Sequence, residues 1–159
     1  MNRVTLSIIC LITTAMLFFA CGGATESEAD KEEDATSAAA SSSAAALKES
    51  IQRGKAVYTG AGICVTCHMQ DGKGQAGVFP PLANSDYLMG DRKRAILQVL
   101  NGATGEMVVN GVTYNGVMPP MGLSLSDEQI ADVLNYVMNN WGNTNKIMIK
   151  PEEVAAERE

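Results

Sequence analysis

Histidine is almost absent from this sequence: His68 is the only one among 159 residues. Cysteine is scarce as well, and its four residues are Cys10, Cys21, Cys64 and Cys67. A structural zinc site needs four Cys or His ligands, and no second cysteine pair lies downstream. A thioredoxin-like pair needs a neighbouring βαβ pattern, which the sequence also lacks. Zinc binding, thiol exchange and a simple local disulfide are therefore kept only as alternatives for Cys64 and Cys67.

An excess of basic residues is also missing, and the net charge is −6. Residues 24–50 include two basic and seven acidic residues, whereas residues 51–159 include nine basic and eleven acidic residues. A nucleic-acid partner is not expected, because such proteins present basic patches. The glycine-rich stretch 71–77 does not form a phosphate-binding loop, since no strand precedes it and the Lys-Ser/Thr ending is absent.

Long apolar runs are confined to the first twenty residues. Arg3 precedes an almost wholly apolar stretch from Val4 to Ala20, the pattern of an export signal. Since Cys21 follows a small residue, the segment resembles a bacterial lipoprotein signal, which predicts a signal peptide over 1–20 and a lipidated Cys21. An uncleaved anchor is the alternative, because seventeen residues are just enough to span a membrane. Either way the protein is expected in the bacterial cell envelope, anchored to a membrane and facing the periplasm or exterior.

The following segment is rich in alanine, serine and acidic residues and has almost no large apolar side chain. Such a composition buries too little surface to fold. It predicts a flexible acidic linker over 21–46, before a folded domain over 47–145 and a C-terminal tail over 146–159. As a coil, this linker would have a reach of roughly 25 to 30 Å.

Within the folded part, apolar residues at helical spacing predict three helices. An Asn-Gly pair between two β-prone runs predicts a hairpin. The last helix starts at a capping box, Ser126 to Gln129, and its apolar stripe runs on to Trp141. The basic triplet 92–94 is either a solvated face or a docking site. The acidic tail is expected to fray, with packing of Ile147, Met148 and Ile149 against the body as the alternative. The predicted elements are helices over 47–58, 91–101 and 126–141 and a hairpin over 107–114.

The stretch Cys64-Val65-Thr66-Cys67-His68 has the pattern of a covalent attachment site for a c-type haem. The two thiols would form thioethers to the haem vinyl groups, and the imidazole would be the proximal iron ligand. A metal-bound histidine needs an acceptor for its second ring nitrogen. The carbonyl of Pro80, in a rigid Phe-Pro-Pro-Leu segment, is the candidate. The alternative is a proline that only stiffens its loop.

With no second histidine, a sixth iron ligand must come from Met, Lys, Tyr, Asn or a backbone group. Methionine is favoured because its neutral thioether raises the haem potential. Met118 is the candidate, since a Pro-Pro pair fixes its loop and it lies 50 residues after His68. Met121 is the alternative. Met69 is too close to His68, and Met138 fits a packing role in the last helix.

Together these residues resemble a class I c-type cytochrome domain, of the kind found alone or fused to bacterial oxidases and quinoprotein dehydrogenases. The resemblance implies an all-α cytochrome c fold with a small β-hairpin and one covalently attached haem c. It also implies that Gly54 and Tyr58 meet a face around Val133 and Tyr136, that the Pro80 carbonyl holds His68, and that Met118 completes the iron. The motifs that carry it, between Ile51 and Asn143, are Gly54 to Tyr58, Cys64 to His68, Phe79 to Leu82, Val109 to Tyr114, Val117 to Pro120 and Leu125 to Ile130.

The function that the resemblance implies is electron transfer without catalysis, so no catalytic residues are expected. A monomeric, membrane-tethered carrier would pass single electrons between respiratory or dehydrogenase partners. The alternatives are a haem enzyme or gas sensor, which would need an open sixth site and a distal polar group, and a haem-free thiol lipoprotein.

Overall fold

The computed structural model describes residues 30–158, with side chains from residue 39 onward. The predicted signal 1–20 and Cys21 lie outside the described residues. The described part is mostly helical with one antiparallel hairpin, which confirms the predicted fold class. None of its helices has the length and apolar composition needed to cross a membrane. The elements are α1 (Asp30–Thr59), α2 (Val65–His68), α3 (Asp86–Gly90), α4 (Arg92–Asn101), β1 (Met107–Val109), β2 (Val112–Tyr114), α5 (Asp127–Val137) and α6 (Pro151–Ala155).

Helix α1 is longer than the sequence predicts, because its backbone over 30–46 is helical where the composition predicts a flexible coil. Alanine is the strongest helix former, and extending a nucleated helix costs little per residue. The side chains of residues 39–46 are all exposed. Over residues 39–46 the helix therefore buries none of its side chains, as the composition indicates. The rest of the predicted linker, 21–29, lies outside the described residues.

Helices α1 and α5 cross at Gly54. A Cβ there would lie 1.9 Å from the Asp132 carbonyl oxygen and 2.8 Å from the Cβ of Tyr136, so only glycine permits this approach. Further along α1, the ring of Tyr58 lies 5.4 Å from that of Tyr136. The predicted meeting of the two helices is confirmed, with Asp132 rather than Val133 against the glycine.

Helix α5 ends at Val137, four residues before the predicted end at Trp141. Three asparagine amides bind carbonyls of the last turns: Asn139 donates to Asn135 at 2.9 Å, Asn140 to Tyr136 at 2.9 Å and Asn143 to Val137 at 2.8 Å. Asparagine competes with the backbone in this way and favours helix ends. Trp141 then has a φ of 50°, but its ring still packs against those of Tyr58 and Tyr136, at 5.3 Å from each.

The C-terminal tail packs against the body, which corrects the prediction that it frays and agrees with the alternative for Ile149. Ile149 and Val154 are 0% exposed. The Asn135 side chain binds both the carbonyl and the amide of Ile149, each at 2.8 Å. The tail's few apolar residues thus complete the core beside α5.

The basic triplet 92–94 does not form an open docking face, because Arg92 and Lys93 bind the tail. Arg92 donates to the carboxylate of Glu153 at 2.8 and 2.7 Å, and Lys93 pairs with Glu157 at 2.9 Å. These partners lie about sixty residues away in sequence. Glu153 and Glu157 of the acidic tail are therefore ion-paired rather than simply solvated.

Candidate functional site

A large cleft opens in the described fold. The empty volume between its walls, including the solvent at its mouth, is about 1310 Å³. Of the described residues that line it, none is Asp, Glu, Lys or Arg, and most are apolar. All five residues that the sequence singles out line this cleft: Cys64, Cys67, His68, Pro80 and Met118.

Helix α2 places the two cysteines and the histidine together. The His68 amide donates to the Cys64 carbonyl at 2.9 Å, closing one helical turn. Residues three and four positions apart lie on one helix face, so Cys64, Cys67 and His68 point to the same side. Both cysteines are free thiols. The Tyr58 hydroxyl fixes the end of the turn by donating to the carbonyl of Met69 at 2.7 Å.

The surroundings of Cys64 do not suit a reactive thiol. Burial raises its pKa to about 11, so the sulfur stays protonated at neutral pH. Nucleophilic and redox-active cysteines have a lowered pKa, because the thiolate is the reacting form. Cys64 therefore lacks the lowered pKa that the attacking thiol of a thioredoxin-like pair needs.

The imidazole of His68 is held by Pro80. Its Nδ1 donates to the Pro80 carbonyl at 3.0 Å, and because a carbonyl only accepts, the proton is on Nδ1 and Nε2 has a free lone pair. Burial lowers the pKa of His68, an effect that the Pro80 hydrogen bond partly opposes. The ring is therefore neutral at pH 7, the form in which histidine binds metals.

Gly74 makes the contact between His68 and Pro80 possible. Its amide donates to the His68 carbonyl at 3.1 Å. A Cβ at this position would lie 2.3 Å from the Phe79 oxygen and 2.7 Å from the Pro80 oxygen, and its φ of 63° also favours glycine. The glycine-rich turn thus folds the rigid proline segment back against α2.

Met118 approaches the cleft from the loop between β2 and α5. Its amide and carbonyl pair with the backbone of Ala103 at 2.8 and 3.0 Å. A Cβ on Gly102 would lie 2.4 Å from the Met118 carbonyl, so the neighbouring glycine allows this close pairing. Met121 also lines the cleft and is 9% exposed. By contrast, Met138 is buried in the core, and Met69 is 36% exposed.

The sequence predictions missed a polar corner of the cleft. Gln98 of α4 donates to the Tyr87 hydroxyl at 3.2 Å, and both residues line the cleft. The Arg94 guanidinium lies 3.9 Å from the centre of the Tyr87 ring. Tyr87 lies on α3, a five-residue helix with no periodic signal of its own. The available signal was Gln98, a polar residue three positions after Ala95 on the apolar face of α4.

Comparison with known proteins points to the same family that the sequence motifs resemble. The family model described as Cytochrome c matches residues 51–141. Over 88 residues the chain is 43% identical to cytochrome c-552 of Thermus thermophilus, covering 53% of this chain and 66% of that one. It is 35% identical over 80 residues to the cytochrome c subunit of alcohol dehydrogenase (quinone) from Gluconacetobacter polyoxogenes, covering 50% and 17%.

A third relative is the gluconate 2-dehydrogenase cytochrome c subunit of Pantoea cypripedii, 34% identical over 109 residues, covering 67% of this chain and 24% of the relative. The chain therefore spans 66% or less of the length of these three relatives. The tail that contains α6 lies beyond the region that the family model matches.

Proposed function

Because this chain belongs to the cytochrome c family, we propose that it is a membrane-tethered carrier that passes single electrons between redox proteins. Its cofactor is haem c, covalently attached, as in the family. The observation that carries the proposal is the meeting of Cys64, Cys67, His68 and Met118 at one apolar cleft. When bound, the haem supplies a reversible one-electron change at its iron.

The cleft suits this group in its chemistry. Two free thiols are available for the covalent bonds, and the neutral His68 offers Nε2 as an axial ligand. In our proposal the Met118 sulfur is the second axial ligand. Tyr87 and Gln98, the polar corner of an otherwise largely apolar wall, would be the hydrogen-bonding groups for the polar substituents of the haem.

The protein's own residues set how readily the iron accepts an electron. The Pro80 carbonyl fixes the His68 ring and raises its basicity as a ligand. The cleft wall without ionised side chains disfavours a net positive charge on the iron, and a methionine ligand raises the potential further. The uncharged wall and the methionine ligand would stabilise the reduced form, whereas the more basic His68 would favour the oxidised form and moderate the potential.

The membrane tether is part of the same proposal. It rests on the lipoprotein-like signal 1–20 and on Cys21, the predicted site of lipidation. The helical start of α1, over 30–46, of which the side chains of 39–46 are exposed, would act as a spacer. As a helix, seventeen residues span about 25 Å at 1.5 Å per residue. The domain would then stand off the membrane and reach partners in the envelope.

A redox titration of the purified full-length protein tests the proposed function. We expect a single reversible one-electron transition in the visible spectrum, and a ferrous form that does not bind carbon monoxide because Met118 holds the sixth position. Tight carbon monoxide binding by the wild-type protein would instead indicate a gas sensor or haem enzyme. A colourless protein would indicate the haem-free thiol lipoprotein.

The partner is proposed to dock at the mouth of the cleft. Ile63 and Val117 line the cleft and are 60% and 69% exposed. Val78 is 43% exposed, and a Cβ on Gly116 would lie 2.7 Å from its carbonyl. The segments 59–70, 74–85 and 107–121, which supply most of this face, contain no Asp, Glu, Lys or Arg. We infer that the partner presents an uncharged, apolar face.

Electron self-exchange between ferric and ferrous copies, measured by NMR line broadening, probes this mouth directly. We expect the rate to change by less than about threefold between ionic strengths of about 0.01 and 0.5 M, since salt screens charges and not apolar contacts. The variant Val117→Lys should show a rate that rises with salt, because two like charges then meet. The control Leu123→Lys, at a fully exposed site outside the cleft lining, should behave as the wild type. A strong salt dependence of the wild type would contradict the apolar docking face.

A further inference from the structure

The last described residue of the tail, Arg158, lies against the loop that carries Met118. We propose that Arg158 is a positioning residue that keeps this loop closed and thereby holds Met118 at the sixth coordination position. This inference rests on the proposed function, in which Met118 is the axial ligand. It concerns a segment beyond the part of the chain that the family model matches.

The guanidinium of Arg158 binds three groups at once. It donates to the Leu125 carbonyl at 2.8 Å, to the Gly122 carbonyl and to the carboxylate of Asp127. The Gly122 and Leu125 carbonyls belong to the turn that closes the Met118 loop. In this turn the Leu125 amide donates to the Met121 carbonyl at 2.9 Å. One planar, permanently charged group therefore joins the end of the loop to the first turn of α5.

The tail that presents Arg158 is itself firmly fixed. Val154, one turn earlier, is 0% exposed. Glu153 accepts two hydrogen bonds from Arg92, whereas the ion pair of Glu157 with Lys93 adds little because the Lys93 side chain is 68% exposed. The position of Arg158 is therefore set by the packing of α6, and its hydrogen bonds to the loop cost less ordering entropy than those of a free end.

On its other side the loop is bound to the C-terminal part of α4. The Met121 amide donates to the Val99 carbonyl at 2.9 Å, and the Gly122 amide donates to the Leu100 carbonyl at 3.0 Å. A Cβ on Gly122 would lie 2.7 Å from the Leu100 oxygen and 3.4 Å from a terminal nitrogen of Arg158. The loop is thus enclosed between α4 and the tail. Without Arg158 it would be held from the α4 side alone.

Imidazole binding to the ferric full-length holoprotein measures how often Met118 leaves the iron, because the added ligand competes with its sulfur. A binding-competent open state that is ten times more populated gives a tenfold higher apparent affinity. We expect Arg158→Ala to raise this affinity about tenfold, which corresponds to about 1.4 kcal/mol. Arg158→Lys, which keeps the charge but loses the planar fork of donors, should give a smaller increase.

The matched control is Lys93→Ala, which removes the ion pair to Glu157 without touching the loop. It should leave imidazole binding unchanged. An equal increase in Lys93→Ala would mean general loosening of the tail and would overturn the proposal. The proposal would also be overturned if Arg158→Ala bound imidazole like the wild type while Met118→Ala bound it strongly. In that case the role of Met118 as the axial ligand would still stand. If the wild type binds imidazole as strongly as Met118→Ala, the axial assignment itself is wrong.

Discussion

Replacing Cys64 and Cys67 together by serine is expected to abolish the covalently bound haem, so that denaturing electrophoresis shows no haem-stained band. Both thiols line the cleft and neither is in a disulfide. A serine hydroxyl cannot form the thioether that joins the ring to the chain, and His68 alone is a ligand that denaturation releases. The wild type, expressed in a host that matures c-type cytochromes, should give one stained band after boiling.

The control for this experiment is Cys21→Ser, which alters a cysteine outside the proposed haem site. We expect this variant to keep the stained band but to move from the membrane fraction to the soluble fraction, because the proposed lipid anchor is lost. A stained band in the double variant would contradict the attachment site. A wild-type protein without stain would favour the zinc, disulfide or thiol alternatives.

The parts of the site that the sequence predicts are those fixed by local chemistry. The spacing of Cys64, Cys67 and His68 matches one helical turn, and α2 provides it. The hairpin follows from Asn110 and Gly111, whose φ values of 51° and 75° are those that a two-residue turn requires. The capping box that starts α5 is also present, with Ser126 and Gln129 bonded to each other's backbone amides. Each of these features depends on residues within five positions of one another.

The contact between His68 and Pro80 could be predicted for a different reason. The residues are twelve positions apart, but two prolines stiffen the second segment and leave their carbonyls free. Gly74, between them, permits the return of the chain. The family resemblance supplied the pairing, and the restricted backbone made it physically reasonable.

The ion pairs of the tail and the polar corner could not be predicted, because their partners are distant in sequence. The bonds of Arg92 to Glu153 and of Arg158 to Gly122 join residues 61 and 36 positions apart. Composition alone gives an acidic, polar tail, and a polar tail is normally solvated. Only the fold shows that basic groups lie opposite it. The same limit applies to Tyr87 and Gln98, which come from separate helices.

Replacing Met118 by alanine is expected to lower the midpoint potential by on the order of 100 mV, a part of the roughly 0.8 V range that axial ligands span. A neutral thioether raises the potential compared with harder ligands, and alanine leaves only water or an added anion to bind. Ferric Met118→Ala should also bind cyanide at least about a hundredfold more tightly than the wild type. A spectroscopic redox titration and a cyanide titration measure the two effects.

Met121→Ala is the matched control, since Met121 lines the same cleft three residues further on. Its side chain is 9% exposed and packs in the core, so truncation should cost about 2–5 kcal/mol of stability as for other buried methionines. Its potential and cyanide affinity should stay close to those of the wild type, because Met118 remains on the iron. The opposite result, with the large shift in Met121→Ala and none in Met118→Ala, would move the axial ligand to Met121. The backbone of the loop would still be held at Met118 by Ala103 and at Gly122 by Leu100. Such an exchange of ligand would therefore require only a rearrangement of the two methionine side chains.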